Sequence, residues 1–164
     1  TRECIQTWST LPDHASVNLS EEDAPAVMDL LDRMGVGIEA GLATVADAER
    51  FVALPQCQRV LRVLIEIEEQ DLKAADEITD GITRVLQRAG ILRPILLHGF
   101  DSTVWHYVRQ AGLNRWSTRV GLEDGCTLPD GTLAAGNADL VEHAVSLMRD
   151  VLSSPEHSKS LAQK

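Results

Sequence analysis

The chain has 164 residues, 44% hydrophobic and 24% charged, which fits one globular domain and excludes disorder as its main state. Asp plus Glu number 25 against 15 Lys plus Arg, a net charge of -10 with no basic run. That balance excludes a nucleic-acid binder and a ligand for anionic membranes, since both need clustered Lys and Arg.

Three widely spaced cysteines, Cys4, Cys57 and Cys126, form no C-x-x-C and are odd in number. They point to a reducing compartment and a cytoplasmic location rather than a disulfide framework. No apolar run approaches the roughly 20 residues of a membrane span. The first residues have neither the basic nor the apolar region of a signal peptide. Thr1-Arg2-Glu3-Cys4 lacks an initiating Met and reads like the interior of a longer sequence.

The first expected strand is His14–Asn18, with Ala15 and Val17 alternating against Ser16 and Asn18. A helix follows, capped by Asp23, with Pro25 early and Val27, Leu30, Leu31 and Met34 as its stripe; Gly35 ends it. Val36–Gly41 is the second strand. Thr44 caps the next helix, with Asp47 at capping-box spacing. Val60–Glu66 is the third strand. Asp71 starts a long helix carrying Ile78, Ile82, Val85 and Leu86, closed by Gly90. Pro94 opens the fourth strand, Ile95–Gly99, and Asp101 or Ser102 caps a helix with Trp105 and Val108. Ser117–Glu123 reads as a fifth strand. After a loop rich in Gly, Pro and Asp, Asn137 caps the last helix, whose stripe is Leu140, Val141, Ala144, Val145, Met148 and Leu152. One domain is expected over 1–152, followed by a polar tail, 153–164.

Five nearly continuous apolar strands alternating with helices imply a parallel sheet covered by helices. Two α/β architectures fit: a five-stranded doubly wound sheet, or five of the eight units of a (β/α)8 TIM barrel of about 250 residues. Both place ligands at the carboxyl ends of strands. Polar groups collect there: Ser16 and Asn18, Glu39, Glu66, His98, then Arg119, Glu123 and Asp124. In the fifth strand a period of two puts Arg119, Gly121 and Glu123 on one face and Val120 and Leu122 on the other. Such charges need partners or a metal, and Gly121 leaves room between them. A purely structural Arg–carboxylate pair fits the same spacing. Glu68 and Glu69 read as solvated loop charges, and His14, His106, His143 and His157 as surface or helix residues. No H-x-H, H-E-x-x-H or C-x-x-C zinc signature is present. The glycines of Gly35–Gly41 lie within a strand, which rejects a dinucleotide fingerprint. Cys126 has no neighbouring His to make it a nucleophile.

The run Arg119-Val-Gly-Leu-Glu-Asp124, with Leu128-Pro-Asp-Gly-Thr and Asn137-Ala-Asp-Leu-Val behind it, resembles the closing strand and helix of the β-keto acid cleavage enzymes, the family of 3-keto-5-aminohexanoate cleavage enzyme. Ala15-Ser-Val-Asn-Leu-Ser20, Gly37-Ile-Glu-Ala-Gly-Leu42 and Leu97-His-Gly99 with Trp105 fit the family in the same order. The resemblance runs from Leu11 to about Met148 and implies a zinc-dependent (β/α)8 barrel, this chain covering strands four to eight. It implies condensation of a β-keto acid with acetyl-CoA, giving acetoacetate and a new acyl-CoA. By the same resemblance Glu123 is a zinc ligand, Arg119 and Asp124 abstract a proton, and Ser16, Asn18 and Glu39 contact substrate. His98 lines the site. A homo-oligomer is expected, with no nucleic acid or membrane as partner. The family's other zinc ligands, a His-x-His pair on an early strand, have no counterpart here and are expected in a preceding N-terminal part. Gly125 stands where the family has Thr. The reading from another class is a non-catalytic five-stranded α/β binding or regulatory domain.

Overall fold

The computed structural model describes residues 2–153; most of the expected tail, 154–164, lies outside the described residues. Its elements are α1 (Arg2–Gln6), β1 (His14–Asn18), α2 (Ala24–Met34), β2 (Gly37–Leu42), α3 (Val45–Val52), β3 (Arg62–Ile67), α4 (Leu72–Arg88), β4 (Ile95–Gly99), a 3₁₀ turn (Asp101–Thr103), α5 (Val104–Asn114) and α6 (Asn137–Ser153). The strand order is β1-β2-β3-β4, and β1–β2 and β2–β3 pair in parallel. A doubly wound sheet reverses its strand order at a switch point, whereas a barrel wall runs sequentially. The sequential order makes this an α/β fold of the TIM-barrel type, covering part of a barrel. Contacts gather into two compact units: residues 2–67 with Lys73–Ile95, and Glu68–Leu72 with residues 96–153.

In the first unit, period-two alternation builds the core. Val17, Ile38, Ala40, Leu42, Val63, Ile65 and Ile67 share one buried face. Helix α2 packs on β1 and β2, and α3 packs on β2. Local signals set the helix ends. Gly35 (φ 75°) turns left-handed after α2 and its N–H bonds back to the last turn. Thr44 Oγ1 accepts from the Asp47 N–H at 3.1 Å, while Asp47 Oδ2 accepts from the Thr44 N–H at 2.9 Å. Asp23 makes no side-chain cap; its carbonyl takes the Ala26 and Val27 N–H groups instead.

In the second unit β4 leads through the 3₁₀ turn into α5, which packs against α6. The expected fifth strand does not form. Ser117 makes one parallel bridge to Leu96, and Thr118 Oγ1 donates to the Leu97 carbonyl at 2.8 Å. The chain then turns. The Asp124 N–H bonds the Gly121 carbonyl at 2.9 Å, and the Leu122 N–H is taken by Asn137 Oδ1 at 2.8 Å. Asn137 thus spends its side chain on the turn rather than on the helix cap. With no strand beneath it, the α6 stripe is buried only in part. Leu140 and Ala144 are enclosed, whereas Val141, Val145 and Leu152 are exposed. They line an apolar groove of about 590 Å³ with Val120 and Met148. No helix among the described residues is long and apolar enough to cross a membrane.

Candidate active site

The face of β1–β3 opposite the apolar core carries the polar strand residues. Register places Ser16 beside Glu39 and Glu39 beside Arg62, one row across three strands. The Ser16 hydroxyl donates to Glu39 Oε1 at 2.6 Å, and the Arg62 guanidinium pairs with Glu39 Oε2 through its Nε. The Glu39 side chain is 6% exposed. Burial pushes its carboxyl up, but the Ser16 and Arg62 hydrogen bonds and the Arg62 charge outweigh burial, leaving it below the usual carboxylate range. A carboxyl depressed in the folded state stabilises the fold above its unfolded pKa of about 4.3 and loses that contribution as pH falls through the folded value. The stability advantage of the wild type over Glu39→Gln is therefore expected to be full near neutrality and to vanish progressively in the acid range. Urea unfolding at a series of pH values measures it.

One row further along the same face, Gly41 leaves a notch. A Cβ there would fall on Asn18 Oδ1 and lie 3.2 Å from Glu66 Oε1. So the strand ends bring Asn18 and Glu66 together only because residue 41 has no side chain.

The second unit holds the other residues. Asp124 is buried in the turn after Gly121, its side chain 0% exposed. Arg119 Nη2 donates to Asp124 Oδ1 at 2.8 Å, and His98 Nδ1 lies 3.6 Å from the same oxygen. His98, 1% exposed on β4, also meets the Phe100 ring edge-on at 5.0 Å. The backbone holds the aspartate from two sides: its N–H bonds Gly121, and its carbonyl accepts from the Asp101 N–H at 2.6 Å. Asp101 adopts φ 45° to reach it. Asp124 Oδ2 is buried and accepts no hydrogen bond among the described residues. Leaving such an acceptor unmade costs roughly 1–3 kcal/mol, a cost native structures rarely carry without a role for the group.

Glu123 is exposed, and its carboxylate folds over Gly121, into the space a Cβ would fill. The room at Gly121 serves a neighbouring side chain. No group of three or more His, Cys, Asp and Glu side chains able to hold a metal occurs among the described residues. A catalytic zinc takes three protein ligands, and Glu123 supplies one at most. The described residues therefore do not make a zinc site by themselves.

Arg62 escaped the sequence reading although it stood inside the expected third strand. Its signal was an arginine in an apolar run, two and four residues from Leu64 and Glu66 and so on their face.

A family model described as beta-keto acid cleavage enzyme matches residues 37–160. The match contains Glu39, His98, Arg119, Glu123 and Asp124; Ser16 and Asn18 precede it. No curated protein matches the chain. Because the matched stretch spans more than half of the 164 residues, the chain belongs to the β-keto acid cleavage enzyme family.

Proposed function

We propose that this chain carries the proton-transfer and substrate-contacting residues of an enzyme that condenses a 3-oxo acid with acetyl-CoA, releasing acetoacetate and a new acyl-CoA. The observation that carries the reading is Asp124, a buried carboxylate with one oxygen fixed by Arg119 and the other without a hydrogen bond. That second oxygen is the proton acceptor. It takes a proton from C2 of the 3-oxo acid. The C2 electron pair forms a bond to the thioester carbonyl, and the CoA thiolate leaves. The thiolate then attacks the C3 ketone, the C2–C3 bond breaks, and Asp124 returns the proton to C2 of the departing acetoacetate. Arg119 holds the carboxylate in place throughout. His98 stands beside the same oxygen that Arg119 holds, its Nδ1 3.6 Å away.

Glu39, inside the matched stretch, and Ser16 and Asn18, which precede it, are assigned to the substrate site by their resemblance to the family's sequence pattern. Zinc and acetyl-CoA enter on the same ground, with Glu123 as a zinc ligand by the same resemblance. The protein at its natural length, given acetyl-CoA and a panel of 3-oxo acids, is expected to release acetoacetate only when both substrates are present. A zinc-supplemented preparation that releases none from any member of the panel would overturn the reading in favour of a non-catalytic binding domain.

A further inference from the structure

A β-keto acid is an anion at neutral pH, so a site that takes one must offer its carboxylate a donor. Such donors are scarce in a chain of net charge -10. On the polar face of β1–β3, Arg62 is the one lysine or arginine. Its setting is unusual. Glu39 uses both oxygens within its row, one on the Ser16 hydroxyl and the other on Arg62 Nε. The Glu39 side chain is 6% exposed, whereas that of Arg62 is 32% exposed. A guanidinium is a rigid fork of five N–H donors. Held at Nε, it keeps its terminal nitrogens for another acceptor, and Arg62 makes no further hydrogen bond among the described residues.

We propose that Arg62 recognises a carboxylate of the substrate, and that Glu39 is the positioning residue that orients it rather than a substrate contact in its own right. The buried carboxylate fixes the plane of the guanidinium, and the Ser16 hydroxyl fixes the carboxylate. An ammonium group is disfavoured at this row, because Glu39 is already neutralised and the exposed partner is cationic. The substrate is thus a 3-oxo acid that presents a carboxylate, rather than an amine, to Arg62.

This inference rests on the β-keto acid reading, and its test separates the two. Calorimetric titration of the natural-length protein with glutarate and with butylammonium uses unreactive probes. Wild type is expected to bind glutarate and not butylammonium. Arg62→Gln is expected to weaken glutarate binding about 10- to 100-fold, and Arg62→Lys to recover part of the loss, since Lys keeps the charge without the fork. Urea unfolding of both variants identifies any loss of fold, and Arg62→Lys carries the test if Arg62→Gln does not fold. In turnover, Arg62→Gln raises KM for the 3-oxo acid and leaves kcat within about threefold, a split that a merely structural ion pair does not produce. Equal glutarate affinity in wild type and Arg62→Gln, no glutarate binding by folded wild type, or preference for butylammonium each overturns the proposal. Arg62-dependent glutarate binding without acetoacetate release from any 3-oxo acid sinks the proposed reaction and leaves this assignment standing. Acetoacetate release with an unchanged KM in Arg62→Gln does the reverse.

Discussion

Asp124→Asn is expected to lower acetoacetate release by about 10²- to 10⁴-fold with little change in stability. The substitution preserves size and shape. The amide oxygen still accepts the Arg119 N–H that Oδ1 takes at 2.8 Å. The backbone bonds to Gly121 and Asp101 involve no side-chain atom and persist. What changes is the other position, where a proton-accepting oxygen becomes an NH₂ group. That oxygen has no hydrogen bond among the described residues to lose, so the folded state gives up little. Chemistry and stability therefore separate. The measurement pairs kcat/KM with thermal unfolding on one preparation. A variant that keeps wild-type kcat/KM removes Asp124 from the proton transfer. Arg119→Ala, which removes the fixing bond, is expected to cost less than Asp124→Asn, because the accepting oxygen remains.

Sequence legibility followed the range of the interactions. β4 is present at its expected bounds, Ile95–Gly99, because an apolar run after a proline with glycine behind it is a local signal. The left-handed Gly35 and the Thr44–Asp47 box are local too. The fifth strand failed for the opposite reason. Arg119, Gly121 and Glu123 alternate with Val120 and Leu122 as a strand requires, but alternation names no pairing partner. Past Thr118 the Leu122 N–H goes to Asn137, and the chain closes a turn that buries Asp124. A strand face would have set Arg119 and Glu123 side by side, with Asp124 just beyond the strand. They meet in a turn, where the buried member is Asp124 and Arg119 and Glu123 are exposed. Arg62 shows the same limit in the first unit. Its partner lies 23 residues away in sequence, and only the β2–β3 register brings the two together.

Gly99→Ala is expected to destabilise the protein by about 1–3 kcal/mol, through overpacking rather than backbone strain. The added Cβ would land on Thr103 Oγ1 and on the Tyr107 ring, 3.2 Å from Thr103 Cβ. Thr103 and Tyr107 are both 0% exposed and have no free space to retreat into. Thr103 is also tied down, for its Oγ1 accepts from the Phe100 N–H at 3.1 Å and donates to the Phe100 carbonyl at 2.8 Å. Relief must come from the 3₁₀ turn as a whole. That turn begins at Asp101, whose N–H holds the Asp124 carbonyl at 2.6 Å. A methyl group at residue 99 thus reaches the proton acceptor through three bonded neighbours, and turnover is expected to fall at temperatures where the variant is still folded. Gly136→Ala is the matched control, with nothing within 4 Å of its Cβ and no left-handed backbone, and it should leave both readouts unchanged. Urea unfolding and kcat, measured well below the unfolding transition, separate the outcomes. A Gly99→Ala variant that loses stability but keeps full kcat would show that the turn repacks without moving Asp124. An unchanged urea midpoint would mean that the β4–α5 corner has slack which the packing around Tyr107 does not contain.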